Sequence, residues 1–237
     1  KTLLAGQLLV DVATSGVPSL MLSCEMPADQ ISERLISTMA GLEPDELKNP
    51  IQFAKDRGMK SASKEQIKKI KKAVLKLNEC PLEFEEPTAP RIGQLCTMIR
   101  RHHMKHGTRL VCIDYIQLIR GSKSQNKEQE VTEISHALQG LAKDLDLCIL
   151  VLSQENQQGD TKYASTITED ADAVLSIIQD LNKQSDTYKK VRGVLINKDR
   201  HNGNGGKTLP IEPHPKLLKF IEVDHTKQEP QTQSWGG

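Results

Sequence analysis

The chain has 237 residues, 37% of them hydrophobic and 27% charged, and its 32 basic and 31 acidic residues leave a formal net charge of +1. This balance gives no argument for or against a nucleic-acid partner, because any basic surface must be local. No apolar stretch approaches the roughly 18 residues that a membrane-spanning helix needs, and no signal peptide is visible, so we expect no membrane association.

The five cysteines are scattered along the chain and show no Cys-x-x-Cys spacing. An odd number of isolated cysteines, several of them within apolar runs, is typical of reduced thiols rather than of a disulfide framework. We therefore expect a cytoplasmic protein. Its core must be mainly aliphatic, because the chain has only three Phe, three Tyr and one Trp.

Along the chain, apolar residues recur with the spacing of helices and then form continuous runs typical of buried strands. Gly16, Gly41 and Gly107 follow periodic segments and predict helix ends. A polar segment over residues 43–60 predicts short helices and loops. The predicted helices span residues 2–15, 27–40, 63–78, 90–106 and 128–144, and the predicted strands span residues 18–24, 82–84, 109–119, 147–152, 173–178, 191–196 and 217–223.

The order of these elements predicts the fold class. Strands that are continuous apolar runs and alternate with helices predict an α/β fold with a mostly parallel central sheet covered on both faces. The last strands follow one another without helices between them, which predicts antiparallel strands at the sheet edge. We expect one domain over residues 1–225 and a disordered tail over residues 226–237, where apolar residues are few.

The first candidate site combines the start of a predicted helix with the end of a predicted strand. Lys1 and Thr2 enter a predicted helix, and Asp114 lies at the tip of the most apolar predicted strand. These are parts of a phosphate and magnesium site, in which preceding glycines let backbone N–H groups wrap the phosphates. We expect those glycines and a first strand to precede Lys1. Taken alone, a Lys-Thr pair or an apolar strand that ends in Asp is common and proves little.

Two further polar residues follow predicted strands, at the edge where doubly wound folds bind ligands. Glu25 could orient a water molecule for attack on a γ-phosphate, or it could be a solvated carboxylate that the dipole of the next helix favours. Gln154 could sense the γ-phosphate, or it could simply be the polar end of a strand. The residues alone leave both pairs of alternatives open.

Together these segments resemble the RecA-like motor domain of the DnaB-type replicative DNA helicases. The resemblance covers residues 1 to about 223, and its strings run in the family's order with spacing close to the family's own. Any one string is weak, but five in order are specific. The strings are Ser23-Cys24-Glu25-Met26-Pro27, Ile113-Asp114-Tyr115-Ile116-Gln117-Leu118, Leu152-Ser153-Gln154-Glu155-Asn156, Asp170-Ala171-Asp172 and Lys198-Asp199-Arg200-His201-Asn202-Gly203.

The resemblance implies a P-loop ATPase that binds ATP and Mg²⁺ between neighbouring subunits of a ring, usually a hexamer. By this correspondence, Lys1 and Thr2 are the phosphate-loop lysine and threonine, and Asp114 is the aspartate that binds magnesium. Glu25 corresponds to the catalytic glutamate and Gln154 to the sensor glutamine.

Three further residues are implied in the same way. Arg34 matches an arginine in the helix that follows the catalytic glutamate. Lys198 and Arg200 match a basic pair inserted from one subunit into its neighbour's site, where the arginine acts as a finger. A strand that ends in Lys-x-Arg before Asn-Gly presents two cations at a turn, which supports this assignment. Without the resemblance, a basic hairpin at the surface would explain the pair equally well.

The resemblance also implies that single-stranded DNA passes through the ring and is gripped by loops that follow the central strands. The corresponding segments here are roughly residues 120–128 and 154–166, and their cations are Lys123, Lys127 and Lys162. Phosphate contacts of this kind depend on salt and are independent of base sequence.

We therefore interpret the chain as the motor domain of a replicative helicase, which hydrolyses ATP to translocate on single-stranded DNA and unwind duplex. A primase and a helicase loader are among the partners that the family would supply. Two alternatives belong to other classes: a RecA-like ATPase of the recombinase or regulatory type, and a non-catalytic nucleotide-binding ring subunit or interaction module.

Overall fold

The computed structural model describes residues 1–58, 64–121, 126–154, 167–179, 191–214 and 216–222. The helices are α1 (Thr2–Thr14), α2 (Ala28–Ala40), α3 (Pro44–Lys48), α4 (Pro50–Asp56), α5 (Lys64–Glu79), α6 (Ile92–His106) and α7 (Lys127–Leu145), with a 3₁₀ turn over Ile116–Leu118. The strands are β1 (Ser19–Ser23), β2 (Leu82–Glu85), β3 (Leu110–Asp114), β4 (Cys148–Val151), β5 (Ala173–Gln179), β6 (Val191–Asp199), β7 (Thr208–Leu209), β8 (Ile211–Pro213) and β9 (Phe220–Glu222).

The helix ends follow signals in the sequence. α2 stops at Gly41 and α6 at Gly107, with φ angles of 65° and 67°. Glycine adopts this left-handed conformation without the steric cost that a Cβ atom would bring, so it commonly ends helices. At the other end, the Asn126 side chain accepts a hydrogen bond from the backbone N–H of Gln129 and caps α7. The predicted helix ends at Gly41 and Gly107 are thus confirmed.

Four strands form the central sheet in the order β2-β1-β3-β4, and all of them are parallel. The two middle strands, β1 and β3, are buried along their whole length. In their register Ser23 lies level with Asp114, and between β3 and β4 Ile113 lies level with Val151. Because parallel strands end at the same edge, the segments after Ser23, Asp114 and Val151 are brought together there. The predicted parallel sheet is confirmed.

Helices cover both faces of this sheet. Leu22 and Ile113 pack in a cluster with residues of α6 and α7, whereas Met21 and Cys112 pack with residues of α1, α2 and α5. Neighbouring residues of one strand point to opposite faces because the backbone is pleated. The continuous apolar runs of β1 and β3 therefore contribute side chains to two hydrophobic layers, one on each face of the sheet, and both layers are mainly aliphatic as predicted.

The remaining strands are antiparallel, as predicted, and form sheets of their own in the orders β5-β6-β7 and β8-β9. The sequence pattern predicts neither β7 nor β8, which are only two and three residues long. β9 is attached to α1 by two hydrogen bonds: Gln7 Nε2 donates to the carbonyl of Phe220 at 3.2 Å, and the Phe220 N–H donates to Gln7 Oε1 at 2.9 Å.

The strand predicted over residues 109–119 is shorter than expected, since β3 ends at Asp114. Ile116 and Ile119 in the following turn are 1% and 0% exposed, so the apolar run continues after the strand has ended. The tail predicted over residues 226–237 lies outside the described residues. In the part of the chain that is described, no helix is both long and apolar enough to cross a membrane.

Candidate active site

The first turn of α1 and the end of β3 meet at the carboxyl edge of the central sheet. There the Thr2 hydroxyl donates a 2.8 Å hydrogen bond to Oδ2 of Asp114, whose residue is only 3% exposed. Hydrogen bonding is what makes a buried carboxylate tolerable. A hydroxyl and a carboxylate side by side are also hard oxygen ligands, which Mg²⁺ takes together with phosphate oxygens. This donor set fits the predicted magnesium site.

Cys24 lies beside this pair, and its backbone N–H donates a 2.9 Å hydrogen bond to the carbonyl of Asp114. Burial raises the pKa of the Cys24 thiol to about 11, and the nearby negative charge of Asp114 adds to that rise. Since the thiolate is the reactive form of cysteine, this thiol is inert near neutral pH. Cys24 therefore packs against the site rather than taking part in its chemistry.

Glu25 follows β1 in a turn that the Ser23 side chain fixes. The Ser23 hydroxyl donates to the carbonyl of Met26 and accepts from the Met26 N–H at 3.2 Å. The Glu25 side chain is exposed and makes no hydrogen bond or ion pair with the described residues. The turn thus holds an unengaged carboxylate at the same edge of the sheet as Asp114.

Lys1 reaches the tip of the neighbouring strand β4. Its Nζ donates a 2.6 Å hydrogen bond to the carbonyl of Ser153. The backbone of the next residue, Gln154, is held by Gln117 from the turn after β3, whose Nε2 donates to the Gln154 carbonyl at 2.9 Å. The structure therefore brings Lys1 and the segment that carries Gln154 into contact, although the Gln154 side chain itself is exposed.

Arg34 lies on α2, the helix that begins just after Glu25, and it is exposed. Its carbonyl accepts a 2.9 Å hydrogen bond from the Thr38 hydroxyl within the same helix. Among the described contacts, none joins the guanidinium group to Lys1, Thr2 or Asp114. Arg34 is therefore close to Glu25 in sequence, but its side chain does not contact Lys1, Thr2 or Asp114.

Lys198 and Arg200 form a separate group at the end of β6. Lys198 Nζ donates to the carbonyls of Thr168 and Glu169 at 2.7 and 2.9 Å. Arg200 Nη1 donates to Asp172 Oδ1 at 2.7 Å, and its Nη2 donates to the Glu169 carbonyl at 3.1 Å. Both cations are thus held by residues 168–172 of their own chain and not by the Thr2–Asp114 pair.

The residue between these two cations, Asp199, organises the turn that presents Arg200. Its carboxylate accepts hydrogen bonds from the backbone N–H groups of His201 and Asn202 at 3.3 and 3.0 Å, and from Asn204 Nδ2 at 2.9 Å. These bonds lower the pKa of Asp199, and the bond from the Asn202 backbone N–H has the largest effect. The turn is therefore built around a carboxylate rather than around apolar packing.

The three lysines predicted to contact DNA are not placed by the structure. Lys123 and Lys162 lie outside the described residues. Lys127 is the first residue of α7, and its side chain is also outside them. They remain predictions from the sequence.

Two residues in the quoted strings have contacts that the sequence pattern does not predict. Gln117 bridges two strand ends, and Asp172 holds Arg200. The one signal for Gln117 is an amide within the otherwise apolar run Ile116-Gln117-Leu118. In the described ranges, no group of three or more His, Cys, Asp or Glu side chains could hold a metal ion.

A parallel sheet covered on both faces, with the first turn of one helix bonded to an aspartate at a strand tip, is the arrangement of P-loop ATPase domains. Residues 1–221 match the family described as the DnaB-like helicase C terminal domain, and the chain belongs to this family.

Curated relatives agree with this assignment. The chain is 31% identical over 170 residues to the replicative DNA helicase DnaB of Rickettsia typhi, covering 67% of this chain and 32% of that protein. It is 28% identical over 247 residues to the DnaB of Geobacillus stearothermophilus, covering 98% of this chain and 52% of that protein. A probable plasmid replicative DNA helicase of Chlamydia trachomatis is 27% identical over 235 residues, covering 94% and 48%. The chain thus spans about a third to a half of these relatives' length.

Solved structures share the fold. One of them, described as an ATPase domain, has a TM-score of 0.79 and 22% sequence identity, and the match covers 94% of this chain and 81% of that one. A DnaB-like replicative helicase whose structure was described together with its interactions with primase has a TM-score of 0.78 and 20% identity, covering 93% of this chain and 55% of that one. These matches confirm the predicted RecA-like fold.

Proposed function

We propose that residues 1–225 form the motor domain of a replicative DNA helicase, which hydrolyses ATP between the subunits of a ring, usually a hexamer, and moves along single-stranded DNA to separate the duplex. The observation that carries the proposal is the 2.8 Å hydrogen bond between Thr2 and Asp114. It unites, at the carboxyl edge of a parallel sheet, the two kinds of side chain that hold Mg²⁺ in P-loop enzymes. Membership of the family supports the same conclusion.

Three residues would hold the nucleotide. Lys1, which now donates to a backbone carbonyl, would donate to the β- and γ-phosphates, and Thr2 and Asp114 would hold Mg²⁺. A Mg²⁺ ion held there would offset the negative charge of the phosphates. Arg34, on the helix after Glu25, is exposed, and we assign it to the rim of the same site.

Hydrolysis needs a water molecule directed at the γ-phosphate. Glu25 is held by a fixed turn at the same edge of the sheet as Asp114 and is not engaged by other described side chains, so it is available to accept a proton from that water as the water oxygen bonds to phosphorus. The bond from phosphorus to the departing ADP oxygen then breaks. Gln154, at the tip of β4, would distinguish the nucleotide with a γ-phosphate from the one without it.

The remaining cations would act in the site of an adjacent subunit. Lys198 and Arg200 contact residues 168–172 of their own chain and not Lys1, Thr2 or Asp114, which supports a role across an interface. An arginine inserted in this way stabilises transition-state charge. Because each site would then be complete only between two subunits, hydrolysis would be tied to the movement of one subunit against the next.

The DNA path and the partners rest on sequence and family alone. We assign Lys123, Lys127 and Lys162 to the phosphates of single-stranded DNA. A primase is named with one of the structural relatives, and we extend that interaction, together with a helicase loader and a cytoplasmic location, to this protein.

The experiment that tests the proposal is steady-state ATP hydrolysis by the full-length product of the coding sequence, with and without single-stranded DNA, followed by a duplex-unwinding assay. We expect DNA to stimulate hydrolysis and Glu25→Gln to abolish it while ATP binding persists. Glu33→Gln is the matched control, since Glu33 lies on nearby α2 with its side chain 47% exposed in an ion pair with Lys48.

The other outcomes separate the alternatives. Hydrolysis that ignores DNA would indicate a regulatory ATPase. DNA-stimulated hydrolysis without unwinding would indicate a recombinase-type ATPase, and nucleotide binding without hydrolysis would indicate a non-catalytic ring subunit. Full activity in Glu25→Gln would overturn the role given to Glu25.

A further inference from the structure

The side chain of Gln117 connects the end of β3, which carries Asp114, with the end of β4, which leads to Gln154. It lies in the 3₁₀ turn just after β3, three residues beyond Asp114, and is half-buried. Its Nε2 donates to the Ser153 hydroxyl and to the Gln154 carbonyl, both at 2.9 Å. Its Oε1 accepts a longer bond, 3.4 Å, from the Gln154 N–H. One amide thus uses both its donor and its acceptor on a single two-residue segment.

These bonds continue the sheet past the point where it ends. The ladder between β3 and β4 stops with Leu152, whose N–H donates to Ile113 and whose carbonyl accepts from Ile116. Beyond Leu152 the β3 chain turns away, so no backbone partner from β3 faces Ser153 and Gln154 in the described contacts. The Gln117 amide takes that place and bonds the Gln154 backbone on both its carbonyl and its N–H.

The segment held in this way is also the one that Lys1 contacts, because Lys1 Nζ donates to the Ser153 carbonyl at 2.6 Å. A single residue therefore fixes the backbone that meets the phosphate lysine and that carries the sensor glutamine. Since the bonds go mostly to backbone atoms, they set the position of the segment whatever the Gln154 side chain does.

We infer that Gln117 is a positioning residue, which holds the Ser153–Gln154 segment at the distance from the Thr2–Asp114 pair at which the γ-phosphate is recognised. The inference rests on the proposed nucleotide site. It predicts that Gln117 matters mainly for a nucleotide with a γ-phosphate, because Gln154, whose backbone it holds, is the group that would sense that phosphate.

The test is the ratio between the affinities for a non-hydrolysable ATP analogue and for ADP, measured by competition against a fluorescent nucleotide with Mg²⁺ present. Gln117→Met keeps the length of the side chain and removes every hydrogen bond. We expect the preference for the analogue to fall roughly tenfold, as the loss of one or two bonds predicts, while ADP affinity changes less than about twofold. Ser153→Ala removes one of the three contacts and should have a smaller effect.

A matched control and a double variant make the result specific. Gln139→Met removes another bridging amide, which donates to the Asp170 carbonyl at 2.8 Å from α7, and should leave the ratio unchanged. If Gln117 acts through its neighbour, Gln117→Met should add little to Gln154→Ala, because effects within one unit are not additive.

An unchanged ratio in Gln117→Met, or full additivity with Gln154→Ala, overturns the inference. If Gln117→Met does not fold, as judged by thermal melting, Gln117→Glu decides instead, since it keeps the acceptor and loses the donor. The ratio requires only binding, so failure of the wild-type protein to hydrolyse ATP would sink the proposed function without touching this result. No nucleotide binding by the wild-type protein would sink both.

Discussion

Replacing Arg200 with alanine tests the proposed shared site most directly. In the folded chain Arg200 is bonded to Asp172 and to the Glu169 carbonyl, and not to the Thr2–Asp114 pair. If it completes a neighbour's site, Arg200→Ala should lower kcat by about 10³- to 10⁵-fold and leave ATP binding nearly intact. Even the smaller loss corresponds to about 4 kcal/mol of transition-state stabilisation.

Loss of stability cannot account for an effect of that size. The Arg200 and Asp172 side chains are 42% and 58% exposed, and ion pairs this exposed contribute about 0–1 kcal/mol to folding. Against a typical stability of about 5–15 kcal/mol, almost all of the variant stays folded. Arg109→Ala is the matched control, because Arg109 forms a comparably exposed pair with Asp146 at 2.6 Å, with the side chains 51% and 87% exposed.

The assay is single-turnover and steady-state hydrolysis of ATP in the presence of single-stranded DNA, with binding of a fluorescent ATP analogue measured in parallel. Mixing Arg200→Ala with Glu25→Gln should restore part of the activity, because the intact site of the first subunit can meet the intact finger of the second. Normal hydrolysis by Arg200→Ala would refute the finger assignment. Failure of the mixture to recover activity, with mixed rings shown to form, would refute action across the interface.

Two further substitutions test the local geometry. Thr2→Val removes the hydroxyl bonded to Asp114, so the affinity for Mg-ATP, measured by fluorescent-nucleotide binding, should fall at least tenfold and become insensitive to removal of Mg²⁺ by a chelator. Thr2→Ser should keep the wild-type affinity and the wild-type sensitivity to the chelator. If Thr2→Val is as sensitive to the chelator as the wild type, the magnesium site is contradicted. Asp199→Ala removes the acceptor that organises the turn after β6 and should reduce kcat without changing ATP affinity, and hydrolysis kinetics at the wild-type level would show that this turn does not position Arg200.

The chemistry of the site was more accessible to sequence reasoning than its contacts. The apolar runs of β1 and β3 predicted a buried parallel sheet, and such a sheet places the ends of its strands at one edge. Asp114 and Glu25 could therefore be assigned to one edge from the order of the strands alone. The end of β3 could not be located, because Ile116 and Ile119 remain buried after the strand has stopped.

The contacts of Gln117 and Arg200 depend on which strands pair and in what register. Gln117 meets Ser153 only because β3 and β4 are neighbours. In the antiparallel pairing of β5 with β6, Ala173 lies opposite Asp199. Asp172, just before Ala173, therefore lies beside Arg200, just after Asp199. The sequence strings contained all four residues, but strand pairing over this distance leaves no local pattern that would predict it.

The residues that hold the two cations have a second connection along the chain. Residues 168–172 follow the β4 tip that carries Gln154 and lead directly into β5, which pairs with the strand that ends beside Arg200. In the proposed ring, Gln154 at one end of the segment 154–172 would contact the nucleotide of its own subunit. The residues at the other end would hold the two cations that act on the nucleotide of the neighbouring subunit. Subunits joined head to tail in this way are not interchangeable left and right. The sense in which hydrolysis passes around such a ring would then be a property of the single chain.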